Sequence, residues 1–197
     1  MTGRNGRRGM PRQVRIIGGR WKRTPLPVAD LPGLRPTPDR VRETLFNWLE
    51  HLYPEFATLS GVDLFAGTGA LGYELASRGA RSVTLVESNA KALDALRAVR
   101  TRIEARQVEI VAGDALSVAA RLPAAAYDVV FLDPPFDSPL QAPALAAACR
   151  LLKPEGIIYL EAPAPLDEGL LKGAGLALVR AGRAGSVAFH LLRPARA

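Results

Sequence analysis

The sequence predicts an α/β domain built on a five-stranded parallel sheet with helices on both faces, a C-terminal antiparallel hairpin and a small basic N-terminal arm. Three observations carry that expectation. From residue 60 onward, short β-branched or apolar runs alternate with helix-favouring stretches, which requires crossover helices between parallel strands. The first of those runs leads into a Gly-x-Gly-x-x-Gly turn that opens a helix. The two closing runs are joined by too few residues for a helical crossover, so they pair antiparallel.

Taken in chain order, residues 1–34 read as the basic arm and residues 35–197 as the main domain. Residues 1–24 contain Arg4, Arg7, Arg8, Arg12, Arg15, Arg20, Lys22 and Arg23 without an acid, a charge of +8 against +7 for the whole chain. Within the arm, Val14-Arg15-Ile16-Ile17 followed by Gly18-Gly19 is placed for a short hairpin. Thr37 is expected to cap a helix that starts with Pro38 at its first position. Val41, Leu45, Trp48, Leu49 and Leu52 then recur at helical spacing and face the core.

The parallel strands are expected at Val62 to Phe65, Val83 to Val86, Val108 to Val111, Tyr127 to Leu132 and Ile157 to Leu160. Helices at Ala70 to Arg78 and Ala90 to Glu104 follow from their Ala, Leu, Glu and Arg content. Leu176 to Val179 and Val187 to Leu192 form the closing hairpin around Arg180 to Ser186. Five parallel strands and a terminal hairpin resemble the order of class I methyltransferases, a Rossmann-like sheet.

Composition narrows the function classes. A near-neutral globule with a basic arm is the footprint of a nucleic-acid binder, with Arg12, Arg15, Arg20, Lys22 and Arg23 as its expected nucleic-acid contacts, which the family resemblance given below makes contacts to RNA. Cys149 is the one cysteine and lies in an Ala/Leu-rich stretch, where a buried structural thiol is expected. With only His51 and His190 beside it, the chain lacks a Cys/His zinc set. No long apolar run and no apolar segment behind the N-terminal charges suggest a membrane or export signal, so a cytoplasmic protein is the expectation, and separately nothing in the sequence suggests more than a monomer.

Gly67, Gly69 and Gly72 alone fit a dinucleotide as well as other adenosine cofactors. Asp63 breaks the tie by sign: a carboxylate just before the turn repels a pyrophosphate but suits the ammonium and sulfonium of S-adenosylmethionine. Glu87 ends the second strand, where a carboxylate accepts from both hydroxyls of a ribose. Asp114 and the N–H of Ala115 follow the third strand, placed for an adenine ring. Phe65 and Ala66 in the turn and Ser88 beside Glu87 complete the expected cofactor contacts.

At the end of Val129-Val130-Phe131-Leu132 stands Asp133-Pro134-Pro135-Phe136. Two prolines end a strand because neither can donate to the ladder, leaving a fixed loop. The Asp133 carboxylate and the Pro134 carbonyl are two acceptors for one NH2 group, and Phe136 offers a ring for stacking. A base amine is a weak nucleophile because its lone pair is delocalised into the ring. Holding both hydrogens keeps the nitrogen closer to tetrahedral and aims its lone pair at a sulfonium methyl, with no covalent enzyme intermediate and no metal. Such a base is single-stranded or flipped out.

These residues resemble the RsmD-type methyltransferases, which modify the N2 amine of one guanine in bacterial 16S ribosomal RNA. The resemblance rests on Arg15-Ile16-Ile17-Gly18-Gly19, on Arg35 through Phe46, on Asp63 through Gly72 and on Phe131 through Phe136. It implies 16S ribosomal RNA or the assembling small subunit as partner, and S-adenosylhomocysteine as product. It also implies that the segment around Thr37 and Arg40 closes over cofactor and target base. From the residues alone, adenine-N6 methylation of RNA or DNA and a non-catalytic ribosome-assembly factor stay open. Four acids lining one crevice speak against the latter, since they repel phosphate.

Overall fold

A computed structural model of the chain describes residues 13–28 and 37–195. Arg12, Arg35, Pro36 and the rest of residues 1–12 lie outside the described residues, so their expected roles stay with the sequence. A two-stranded antiparallel hairpin, β1 (Gln13–Arg15) and β2 (Pro25–Pro27), precedes α1 (Asp39–Leu52). The main sheet contains β3 (Ser60–Asp63), β4 (Ser82–Glu87), β5 (Val108–Ala112), β6 (Tyr127–Leu132), β7 (Leu152–Ala162), β8 (Leu176–Ala184) and β9 (Val187–Pro194). Between them run α2 (Ala70–Ser77), α3 (Ala90–Arg102), α4 (Ala115–Ala119), α5 (Gln141–Leu151) and α6 (Glu168–Gly173).

The seven strands lie in the order β5-β4-β3-β6-β7-β9-β8, parallel from β5 to β7 and antiparallel beyond. The five parallel strands and the closing hairpin stand where expected, with shifted ends. The first strand stops at Asp63 because Leu64 and Phe65 already turn into the glycine loop. β8 and β9 extend to a two-residue turn at Gly185-Ser186, where Gly185 takes φ +60°.

The order reverses at β3, whose neighbours β4 and β6 lead away in opposite directions, and ligands bind outside the carboxyl ends at such a point. Alternation along each strand feeds two cores. Val129 and Phe131 join α1, α2, α3 and the N-terminal hairpin on one face, while Val130 and Leu132 join α4, α5 and α6 on the other. Each such large side chain contributes about 1.5–3 kcal/mol over leaving it exposed. Cys149 is half-buried against the second core, less enclosed than expected.

The N-terminal hairpin is part of the first core through Val14, Ile16, Trp21 and Leu26. Gly19 explains the Ile-Ile-Gly-Gly pattern: it takes φ +73°, and a Cβ there would lie 2.0 Å from the Ser77 carbonyl oxygen. The hairpin docks through main-chain N–H groups, Arg20 donating to the Ser77 carbonyl (2.7 Å), and Ile17 and Gly18 to the Glu74 carboxylate (2.6 and 2.8 Å). Arg42 is fully buried and donates to the carbonyls of Arg15 and Thr37 and to Asp39, facing Glu74 at 3.9 Å. In α1, Val41, Leu45 and Leu49 are buried as expected, whereas Leu52 at the helix end is exposed.

Candidate active site

At the carboxyl ends of the parallel strands the chain places an acid on every one. Read across the sheet they are Asp114 after β5, Glu87 at the end of β4, Asp63 at the end of β3, Asp133 after β6 and Glu161 near the end of β7. Neighbouring strands lie about 4.8 Å apart, so the five form a ridge of roughly 20 Å centred on the reversal point. No salt bridge among the described residues pairs any of the five.

The glycine turn wraps the middle of this ridge. Gly69 takes φ +76° and begins α2; a Cβ there would meet Tyr73 and Leu96 at 2.6 and 2.7 Å. A Cβ on Gly72 would come within 2.1 Å of Leu85, so the third glycine lets α2 lie close on the sheet. The Ala66 N–H donates to the Val86 carbonyl (3.0 Å), and the Gly67 N–H donates to one oxygen of Glu87 (2.8 Å). The other Glu87 oxygen accepts from the N–H groups of Ser88 and Asn89 (2.8 and 2.7 Å), tying the turn to the start of α3. Asp114 caps α4 by accepting from the Ser117 N–H (2.9 Å), and this bond lowers its pKa. Ala115 is the first residue of α4 and is buried.

Asp63 is 1% exposed. Burial pushes its carboxyl up to about 7, with the Glu87 and Glu161 charges adding to the rise against N–H bonds from Phe65 and Gly72. The Asp133 carboxyl is raised as well, first by burial and then by the charges of Glu161 and Asp63. Protonating these groups, or supplying a cation, relieves the same repulsion.

Sequence reasoning missed Glu161. Its Oε1 accepts from the Thr37 hydroxyl (2.7 Å) and from the Tyr159 hydroxyl (2.8 Å), and burial raises its pKa against those two bonds. The sequence signal was there, since Leu160-Glu161 ends an apolar strand as Val86-Glu87 does. Its partner Thr37 is 124 residues away and invisible to local pattern. The same bond corrects the expected helix cap. The Thr37 hydroxyl is committed to Glu161, Pro38 occupies the cap position with no side-chain bond, and α1 starts at Asp39.

In the Asp133-Pro134-Pro135-Phe136 loop the polar groups divide cleanly. The Pro135 carbonyl accepts from the N–H and the hydroxyl of Ser138 (3.2 and 2.6 Å), closing the loop on itself. Among the described residues, neither the Asp133 carboxylate nor the Pro134 carbonyl receives a hydrogen bond. Phe136 is 42% exposed and is the one aromatic ring among the large exposed apolar side chains described.

Of the expected RNA-contacting cations, those among the described residues do not all gather at this end. Arg15 does lie near it, paired with Asp39 at 3.3 Å. The loop bearing Arg20, Lys22 and Arg23 bonds to Ser77, the last residue of α2, a helix length of about 12 Å from the glycine turn. Arg40 lies exposed on α1, in a cleft shared with the closing hairpin.

Comparison with known proteins agrees with this architecture. The family profile described as Conserved hypothetical protein 95 matches residues 14–193. The ribosomal RNA small subunit methyltransferase D of Escherichia coli K12 is 40% identical over 91% of this chain and 89% of its own length. Its Haemophilus influenzae counterpart is 38% identical over 91% and 93%. The solved structure of the methyltransferase yhhF from Escherichia coli superimposes with a TM-score of 0.78 at 38% identity, covering 93% of this chain and 99% of that one. With the profile and the relatives each spanning most of its length, the chain belongs to the ribosomal RNA small subunit methyltransferase D family.

Proposed function

We propose that the protein transfers a methyl group from S-adenosylmethionine to the exocyclic N2 amine of a guanine in small-subunit (16S) ribosomal RNA. The observation that carries this reading is the pair of unengaged acceptors, the Asp133 carboxylate and the Pro134 carbonyl, beside an exposed Phe136 ring. The bound donor supplies a methyl group on a positively charged sulfur. The acid ridge suits it: Asp114 and Ala115 would hold the adenine, Glu87 and Ser88 the ribose, and Asp63 the charged amino-acid end against Phe65, Ala66, Gly67 and Gly69.

On the target side, Asp133 and Pro134 each accept one amine hydrogen, Pro135 fixes the loop and Phe136 stacks on the base, contributing about 1–3 kcal/mol. Glu161 keeps Asp133 proton-hungry, and Thr37 anchors the start of α1 over the same pocket. As the amine becomes a cation during transfer, Asp133 stabilises the developing charge and takes the released proton. The protein works as a monomer in the cytoplasm on this reading, and among the described residues no helix is long and apolar enough to cross a membrane.

The test is incubation with methyl-labelled S-adenosylmethionine and unmodified small-subunit RNA or subunits, followed by mapping of the labelled nucleotide. Label on one guanine N2 is the expected result. Label on an adenine would keep the acceptor pair and overturn the base assignment, and no label on RNA would overturn the reading itself.

A further inference from the structure

We infer that the tip of the closing hairpin, through Arg183, joins Arg40 of α1 in gripping a phosphate of the RNA strand next to the target base. This inference rests on the RNA-methyltransferase reading above and goes beyond it by assigning the strand a contact outside the basic N-terminal segment.

The position of Arg183 follows from strand register. Arg183 pairs with Ala188 across the hairpin, and Ala188 pairs with Ala162, the residue after Glu161. Two strand spacings, about 10 Å, separate Arg183 from the backbone at the end of the acid ridge. Because β9 runs antiparallel to β7, the Gly185-Ser186 turn stands at the same end of the sheet as the active site.

Arg40 reaches this place from the other side. It lies three residues after Thr37, whose hydroxyl holds Glu161. Arg40 and Arg183 together line a cleft of about 200 Å³ with Thr44 and Phe189, and no acid is among its lining residues. The cleft has rigid walls. The Phe189 ring packs on Trp48 of α1 with centroids 5.5 Å apart, and a Cβ on Gly182 would come within 2.3 Å of that ring.

Both guanidinium groups are available. Arg183 Nε donates to the Gly185 carbonyl (3.1 Å), and no hydrogen bond among the described residues takes its terminal nitrogens. Neither arginine is ion-paired with an acid among the described residues, whereas Arg15, Arg42 and Arg78 all are. Two unpaired forks in an acid-free cleft beside a ridge of acids give a bound strand one attractive place for a phosphate. The target nucleotide must pass that ridge, which would otherwise repel its backbone.

The test measures binding of unmethylated small-subunit RNA by the full chain as a function of salt, for wild type, Arg183→Gln, Arg183→Lys, Arg40→Gln and Arg97→Gln. Each lost phosphate contact lowers the slope of log affinity against log salt by about 0.7–0.9. Arg183→Gln and Arg40→Gln are each expected to show that drop, and Arg183→Lys to keep the wild-type slope. Arg97, on the outer face of α3 and paired with Asp94, serves as a distant cation whose removal leaves the slope unchanged. Donor affinity, measured by calorimetry, stays at the wild-type value in the Arg183 variants. An unchanged slope in Arg183→Gln, or an equal drop in Arg97→Gln, overturns the inference while wild-type methylation of the RNA leaves the parent reading standing. Absence of methyl transfer by wild type would sink that parent reading instead.

Discussion

Glu74 and Asp63 are both carboxylates with at most 1% exposure, a short distance apart in the chain, and the fold treats them in opposite ways. Glu74 accepts from two main-chain N–H groups and from Arg78, and faces the buried Arg42. Its charge is neutralised within the chain and serves to fasten the N-terminal hairpin to α1 and α2. Asp63 has only N–H bonds, and the charges that act on it are those of the acids Glu87 and Glu161. A buried charge with cations of its own is scaffold; a buried charge among like charges is kept for a ligand that brings the opposite sign.

Removing an acid on the ligand side should cost activity with little stability. For Asp133→Ala, methyl transfer is expected to fall about a thousandfold, the scale of losing one positioned polar group at a reacting centre, while donor affinity barely changes. Single-turnover rates with saturating donor check this, and wild-type turnover would break the comparison. On the scaffold side, Glu74→Leu is expected to cost about 3–5 kcal/mol, because it leaves the Ile17 and Gly18 N–H groups without their acceptor and takes from the buried Arg42 one of the two acids it faces, Asp39 remaining. Urea unfolding reads that loss, and an unchanged midpoint would show that the latch is unnecessary.

The finest discriminator is proton release. Asp63 rises from its ordinary 3.8 to about 7, so at pH 6 most of the population holds a proton that the unfolded chain would lack. Its stabilising contribution is therefore full below pH 3.8 and lost as pH rises through about 7. A cationic donor favours the ionised form. Donor affinity is then expected to rise with pH across that window, releasing a fraction of a proton per molecule bound. Calorimetry at pH 6 in two buffers of different ionisation enthalpy measures it, and identical heats would remove Asp63 from the donor's charged end.

The hairpin also alters how the basic N-terminus should be probed. Deleting residues 1–24 would extract Ile16 and Trp21 from the first core along with the cations, confusing folding with RNA binding. Deleting residues 1–12 removes Arg4, Arg7, Arg8 and Arg12 and spares those contacts.

Local residue pattern is enough to read the parallel sheet, the glycine turn, the acids Asp63, Glu87 and Asp114, and the Asp133-to-Phe136 loop. Each is written in a few adjacent residues: apolar runs that end in an acid, glycines where the backbone must turn or approach closely, prolines where a ladder must stop. That Thr37 serves Glu161 and not its own helix emerges only from the folded arrangement. The same holds for Glu74 and Arg42 latching the hairpin, for Arg20, Lys22 and Arg23 lying at the far end of α2, and for Arg183 standing beside the ridge. Those assignments depend on strand register and helix docking, which join residues distant in the chain through packing that no local pattern encodes.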